Sequence, residues 1–287
     1  MTSGELRQQL IERLTRAEVD APHLDAKWLI AHVLELEPST TFPDDASVTV
    51  EEVARLDALV AERERGVPLA YLLGEWEFFS LPLFVTPAVL VPRPETELLV
   101  EWGSALLRDH PAPRIADIGT GSGCIAIALA AELPRATIDA VDLSPDALAV
   151  AARNVSRHGL TERVQLFEGD LVAPIEKRAP YDLIVSNPPY ISPGDPRLEA
   201  NVAAHEPALA LFDRDGSVDG LGFYRRLLLE AVPLVHATGA LLFELPEDGA
   251  EGVAAFARSE GATVDVREDL AGIERALLVQ KAPANRV

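Results

Sequence analysis

The sequence predicts an α/β fold, a mostly parallel sheet with helices on both faces, preceded by a small all-α segment. Three observations predict it. From about residue 95 onward, short β-branched runs alternate with stretches of helical periodicity, the pattern of parallel strands joined by crossover helices. The glycine-rich turn Gly119-Thr120-Gly121-Ser122-Gly123 separates the first of these runs from the helix behind it. Residues 1–75, by contrast, carry only helical apolar spacing.

In the first part, Leu6, Leu10, Ile11 and Leu14 lie on one helical face, as do Leu24, Trp28, Leu29, Val33 and Leu36 behind Pro22, proline being at home in the first turn of a helix. A third helix carries Val53, Leu56, Leu59 and Val60. It starts at Thr49 with Glu52 three residues on, a capping box, and is closed by Gly66 and Pro68. This part holds more than twice as many acidic as basic side chains and no catalytic constellation. It is read as a helical substrate-recognition domain over 1–75. Residues 76–94, "WEFFSLPLFVTPAVLVPRP", are aromatic, β-branched and proline-rich and predict a linking β-hairpin. The third division is 95–287, with strands expected at 114–118, 137–142, 164–168, 181–186, 239–245, 263–267 and 275–280. Helices are expected at 95–109, 122–133, 145–158, 220–236 and 247–260. Only "EDLAGIE" separates the last two strands, which makes them an antiparallel hairpin.

Composition narrows the function. Among 287 residues, 48% are apolar, enough for a sizeable core. One cysteine, Cys124, excludes a disulfide framework and a cysteine-based zinc site. No metal is expected, and a cytoplasmic setting is. No basic segment followed by a long apolar run opens the chain, so a secretory signal is not expected. No stretch reaches the ~18 uncharged apolar residues of a membrane span. The formal net charge of −21 repels phosphate backbones. Stable nucleic-acid binding would therefore need a local basic groove, whereas a basic protein partner would suit it. A monomer is expected.

"RIADIGTGSGCIAIALA" (114–130) reads as strand, glycine turn and helix. The glycines let a ligand approach the backbone, and the helix start offers free N–H groups. Cys124, with no partnering His or acid, is expected to pack rather than react. The next strand ends at Asp142, about 20 residues after the glycines, where a carboxylate can accept from both hydroxyls of a ribose. NAD and S-adenosylmethionine both contain that ribose, so these features alone do not separate them. The third strand ends at Asp170, an acceptor for an adenine amino group or a loop cap.

A fourth strand ends in Asn187-Pro188-Pro189-Tyr190. Two prolines have no N–H for a strand ladder and fix the backbone. The result is a stiff elbow carrying an amide and an aromatic ring. The nitrogen of an amide or of an exocyclic adenine amine is a poor nucleophile, because its lone pair is delocalised. Two acceptors on its N–H bonds can aim that lone pair: the Asn187 side-chain oxygen and the Pro188 carbonyl. Tyr190 can stack on the planar group.

In this order, the glycine turn, acidic strand end, Gly-Asp and Asn-Pro-Pro-Tyr resemble the class I S-adenosylmethionine-dependent methyltransferases, whose N-P-P-Y members methylate planar nitrogens. "ERERGVPLAYLLGEWEF", "VLVPRPETELLVEW", "VSNPPYI", "EPALAL" and "DGLGFYRRLL" further resemble the HemK/PrmC family of protein-(glutamine-N5) methyltransferases, which act on peptide-chain release factors. The resemblance implies a Rossmann-like methyltransferase domain behind a small helical N-terminal domain and a β-hairpin. It also implies an enzyme that uses S-adenosylmethionine to methylate the glutamine of a Gly-Gly-Gln motif. Gly119, Thr120, Gly121, Ser122, Gly123, Asp142, Asp170, Leu171 and Asn187 would bind the cofactor. Asn187, Pro188, Pro189 and Tyr190 would hold the target glutamine. Arg93, Glu95 and Glu97 would shape the pocket wall or cap a helix, Glu206-Pro207 would shape the loop after the elbow, and His205 is expected on the surface. The stretch 243–253 departs from the family, with Pro246 where glycine is usual and no glutamine. Those changes are expected to lie away from the elbow. Alternatives are a ribosomal-protein glutamine methyltransferase, an adenine-N6 nucleic-acid methyltransferase, an NAD-dependent dehydrogenase and a non-enzymatic cofactor-binding scaffold.

Overall fold

The computed structural model describes residues 2–36, 43, 46–192, 194–196, 198–213, 217 and 219–282. The chain divides into two compact units, one of Met1–Glu75 with Glu199–His205 and one of Trp76–Leu198 with Glu206–Val287.

The first unit holds α1 (Ser3–Arg16), α2 (Pro22–Val33), α3 (Val50–Glu64) and α4 (Leu69–Leu73). Thr2 and Glu5 cap α1 reciprocally, as Thr49 and Glu52 cap α3, each box satisfying two backbone N–H groups the helix leaves free. Leu6, Leu10, Leu14, Leu29, Leu56 and Val60 are buried between them. Arg63 donates to Asp25 at 2.7 Å.

The second unit begins at a hairpin, β1 (Glu75–Phe78) and β2 (Leu81–Phe84). Phe79 and Ser80 both take positive φ, the handedness a two-residue turn between twisted strands requires. No strand follows in 85–93, and a 3₁₀ turn at Pro94–Thr96 leads into α5 (Glu97–Leu107). Next come β3 (Arg114–Ile118), α6 (Cys124–Glu132), β4 (Thr137–Asp142), α7 (Pro145–Arg157), β5 (Val164–Glu168) and β6 (Tyr181–Ser186). The predicted strand bounds over 114–186 are those observed.

After β6 the chain enters α8 (Ala200–His205). The sequence division places that segment with residues 95–287, but it belongs to the first unit. There the ring Nε2 of His205 lies 3.0 Å from the Arg65 carbonyl. A contact that distant in sequence has no local signature. α9 (Ala208–Leu211), α10 (Gly222–Ala231), β7 (Val235–Glu244), α11 (Ala250–Ser259), β8 (Ala262–Glu268) and β9 (Glu274–Lys281) complete the chain. The helix expected over 220–236 stops at Ala231. Pro233, which has no N–H and clashes with the preceding turn, converts its end to a 3₁₀ turn. β7 then starts four residues before its expected position.

The seven-stranded sheet has the order β5-β4-β3-β6-β7-β9-β8. All pairs are parallel except β7–β9 and β8–β9. Side chains alternate across it. Ile115, Leu183, Val185 and Leu242 join the core under α5, α6 and α7, while Ala116, Ile184, Leu241 and Phe243 join the core under α10 and α11. Burial on both faces is why the central strands read as largely apolar runs. The order runs outward from β3 to β5 and then returns to β6 on the other side of β3. Register places Ile118 beside Val141 and Ser186, and Asp142 beside Glu168. The carboxyl ends of four strands thus meet at a topological switch point, where open α/β sheets bind ligands.

One buried side chain ties this edge together. Asn154, fully buried on α7, accepts from the Phe84 N–H at 2.7 Å and donates to the carbonyls of Phe84 at 3.0 Å and Ser122 at 2.8 Å. It joins the hairpin to the glycine turn. Asn154→Ala strands three backbone groups, one buried and two part-buried, and is expected to cost roughly 2 kcal/mol. A fall in the denaturation midpoint at unchanged slope is the readout.

Candidate active site

Above the switch point lies a cavity of about 400 Å³. Gly119, Gly121 and Gly123 take φ of +75°, +55° and +83°, which L side chains adopt only under strain. A Cβ built on Gly121 meets nothing within 4 Å, so the space above it is open to a ligand. Gly123 does something else: a Cβ there would press within 3.2 Å of Ile127 and 3.5 Å of Ala151, so its absence lets α6 lie close to α7. The N–H groups of Gly119 and Thr120 both donate to the Val141 carbonyl at 2.9 Å. Asp142 accepts from Gly121 N–H at 2.8 Å and Ser144 N–H at 2.9 Å, one oxygen each. Burial pushes its carboxyl up, and the backbone donors offset part of that.

The cavity brings together Gly119, Thr120, Gly121, Ser122, Asp142, Asp170, Leu171, Asn187 and Pro189. It does not include Gly123, Pro188 or Tyr190. Tyr190 packs against the core under α10 and α11 instead of offering a stacking face to the cavity, and burial pushes its phenol up to about 12. Apolar anchorage of the ring outweighs exposure for it. Asp170 is paired with Arg226 at 2.7 Å, so it is not a free acceptor awaiting an amine. Both partners are well exposed, and such a pair contributes little to stability. Leu171, at φ +48° and 3% exposed, forms a wall.

Asn187 follows β6 directly. Ser186 fixes that strand end by donating its hydroxyl to the Ile118 carbonyl at 2.7 Å. A Cβ on Gly119 would lie 4.0 Å from the Asn187 carbonyl oxygen, so elbow and glycine turn adjoin. The Asn187 Nδ2 donates to Thr96 Oγ1 at 3.1 Å, and that hydroxyl donates to Glu244 Oε2 at 2.5 Å. Arg93 lines the cavity and donates to Glu206 Oε1 at 2.5 Å, while the other Glu206 oxygen accepts from Val91 N–H at 3.1 Å. Glu206 thus clamps the 91–93 wall. Glu97 turns away to accept from Phe79 N–H at 2.7 Å, and Glu95 is exposed. Burial pushes the Cys124 thiol up to about 12, an inert packing residue. Among the described residues no cluster could hold a metal ion.

The description "Methyltransferase small domain" matches residues 95–218 and "PrmC N-terminal domain" matches residues 5–74. The release factor glutamine methyltransferase of Geobacter sulfurreducens is 42% identical over 267 residues, covering 92% of this chain and 91% of that protein. That of Chlorobaculum tepidum is 38% identical over 283 residues, covering 95% of each. This chain belongs to the release factor glutamine methyltransferase family.

A solved methyltransferase from Pyrococcus furiosus superposes with a TM-score of 0.52 at 19% identity, covering 80% of this chain and 98% of that one. It shares the fold. The Rossmann-like methyltransferase architecture and the HemK/PrmC resemblance expected from the motifs are therefore correct. No described helix of this glutamine methyltransferase family member is long and apolar enough to cross a membrane.

Four polar residues of the site escaped the motif reading. Asp117 is fully buried in β3. One of its oxygens accepts from the Thr120 hydroxyl at 2.7 Å and Ala126 N–H at 3.2 Å, while Oδ1 has no partner. Burial pushes its carboxyl up to about 7. The one signal for it was a lone acid inside the otherwise apolar "RIADI". Thr96 lies 91 residues from Asn187 and 148 from Glu244, Arg226 sits on an ordinary amphipathic helix, and nothing local marks them. Glu244 precedes the Pro246 departure by two residues, and its side chain reaches the elbow through Thr96.

Proposed function

We propose that this methyltransferase transfers the methyl group of S-adenosylmethionine to the side-chain amide nitrogen (N5) of the glutamine in the Gly-Gly-Gln motif of peptide-chain release factors. Kinship over more than nine-tenths of the chain with enzymes named for that reaction supports it. The observation that carries it is the Asn187 amide, held at a strand-end cavity with its NH₂ occupied by Thr96 and its oxygen left to accept.

The residues present fit the cofactor. The turn over Gly119 and Gly121 has no side chain to obstruct a ligand, Asp142 suits a ribose diol, and Leu171, Val89 and Phe223 supply apolar walls. When bound, S-adenosylmethionine supplies a sulfonium-activated methyl whose leaving group is a neutral thioether.

The protein's part is alignment. Asn187 Oδ1 and the Pro188 carbonyl accept the two N–H bonds of the glutamine amide, so the nitrogen lone pair points at the methyl carbon. Orientation of this kind supplies much of the rate. The prolines keep both acceptors from relaxing, which is electrostatic preorganisation. No strong base is required before transfer, because the methylated amide nitrogen is acidic and gives its proton to water. The helical unit serves recognition of the release factor, its acidic surface suiting a basic partner. A cytoplasmic monomer is sufficient for the reaction.

Incubation with labelled S-adenosylmethionine and a purified release factor, followed by peptide mapping in a mass spectrometer, tests the assignment. Label on the Gly-Gly-Gln glutamine is expected. Label confined to added DNA or RNA would overturn it in favour of an adenine-directed enzyme.

A further inference from the structure

We infer that Thr96 and Glu244 are positioning residues which dictate that Asn187 presents its oxygen, not its NH₂, to the substrate nitrogen, and that protonation of Glu244 reverses this choice. The inference rests on the proposed amide methylation and adds its control.

The argument is one of proton counting along a buried chain. Thr96 is 2% and Glu244 3% exposed, so water does not compete for their hydrogen bonds. An ionised carboxylate can only accept. The single hydroxyl proton of Thr96 is therefore committed to Glu244 Oε2 at 2.5 Å. That leaves the Thr96 oxygen as an acceptor, and the matching group on Asn187 is its NH₂, at 3.1 Å. With Nδ2 turned to Thr96, Oδ1 is on the other edge of the amide. A protonated Glu244 inverts every link. Its O–H donates to Thr96 Oγ1, the threonine proton swings to Asn187, and the amide satisfies it by turning over. A donor then meets the N–H bonds of the glutamine where an acceptor is needed. No bond to carbon changes; one proton enters from solvent and one amide rotates.

The surroundings of Glu244 place the switch in a useful range. Burial pushes its carboxyl up to about 7, the Thr96 hydroxyl and the positive charges of Arg275 and Arg93 restrain that rise, and Glu95 adds to it. Tyr190, Tyr224 and Cys124 also face it. All three titrate far above neutrality, so they do not change charge there. The Tyr224 hydroxyl is engaged with the Glu244 backbone carbonyl at 2.7 Å, and Arg275 bonds Asp269 at 3.2 Å. Neither takes the place of Thr96 on the carboxylate.

The test combines Thr96→Val, Thr96→Ser and Glu244→Gln with kcat profiles from about pH 5.5 to 9. Wild-type kcat is expected to fall as pH drops through about 7. Thr96→Val, which keeps the shape and removes the hydroxyl, is expected to lower kcat about 10- to 100-fold, less than deleting a contact to the reacting group itself because it acts through Asn187. Cofactor affinity should stay within about threefold. Thr96→Ser should recover most of the rate, and Glu244→Gln should abolish the acid limb. An acid limb that persists in both Thr96→Val and Glu244→Gln overturns the inference, as does wild-type kcat in Thr96→Val. If the wild type labels no release-factor glutamine, it is the reaction assignment that fails. The relay is then read directly from the Asn187 side-chain NH₂ resonances. These should shift through about pH 7 in the wild type and stay put in Thr96→Val; pH-independent wild-type resonances would overturn it.

Discussion

Asn187→Ala is expected to reduce methyl transfer by about 10²–10³-fold, the range seen when one preorganised polar contact is deleted from a transition state. Cofactor affinity should change only a few-fold. In the proposed reaction the side chain supplies the acceptor that orients the reacting nitrogen, and its own NH₂ is already engaged by Thr96 at 3.1 Å. Truncation removes the acceptor and leaves Thr96 without its donor. The neighbouring backbone is untouched, because Pro188 and Pro189 hold the elbow and Ser186 anchors the strand end to Ile118. The measurement is a single-turnover rate beside a calorimetric titration with S-adenosylmethionine. A variant that methylates within threefold of wild type, at any cofactor concentration, would remove Asn187 from the chemistry.

Asp142→Ala should fall on the other side of the ledger, weakening S-adenosylmethionine binding by about 100-fold, or about 2.7 kcal/mol. Its carboxylate holds the glycine turn through Gly121 N–H and the start of α7 through Ser144 N–H. It also lines the cavity where a ribose diol would sit. Hydrogen bonds to a charged group are worth roughly 1.5–3 kcal/mol each, so the loss is large even after relaxation. Turnover at saturating cofactor should remain near wild type, since in the proposed reaction Asp142 does not touch the nucleophile. Asp142→Asn should lie between the two, because its amide keeps one acceptor but aims a donor at a backbone N–H. Unchanged cofactor affinity in Asp142→Ala would exclude the ribose role.

The parts that were legible share a physical cause. β3, β4 and β6 are buried on both faces over most of their length, so each is a largely apolar run whose ends are marked by polar or glycine residues; β5, at the sheet edge, is only partly buried. Glycines at positive φ and prolines without N–H are local constraints, visible in any single stretch of chain. The capping box at Thr49 acts over three residues. Helix ends were less legible where a neighbouring residue changed the backbone: Pro233 cut α10 short. Tyr190 shows the limit for side chains. Its place beside the elbow suggested a stacking role, and only packing against α10 and α11 decided where the ring went.

The sequence by itself determined the two-part plan, the parallel sheet, the glycine turn and the amide-bearing elbow. Each depends on backbone torsion, strand burial or hydrogen bonding within a few residues. Only the tertiary structure decided that α8 joins the helical unit, that Arg226 occupies Asp170, and that Thr96 joins Asn187 to Glu244. Those are meetings of side chains far apart along the chain. A hydrogen bond between such groups leaves no trace in the residues around either one; it exists because the sheet order brings the ends of β6 and β7 side by side with the start of α5.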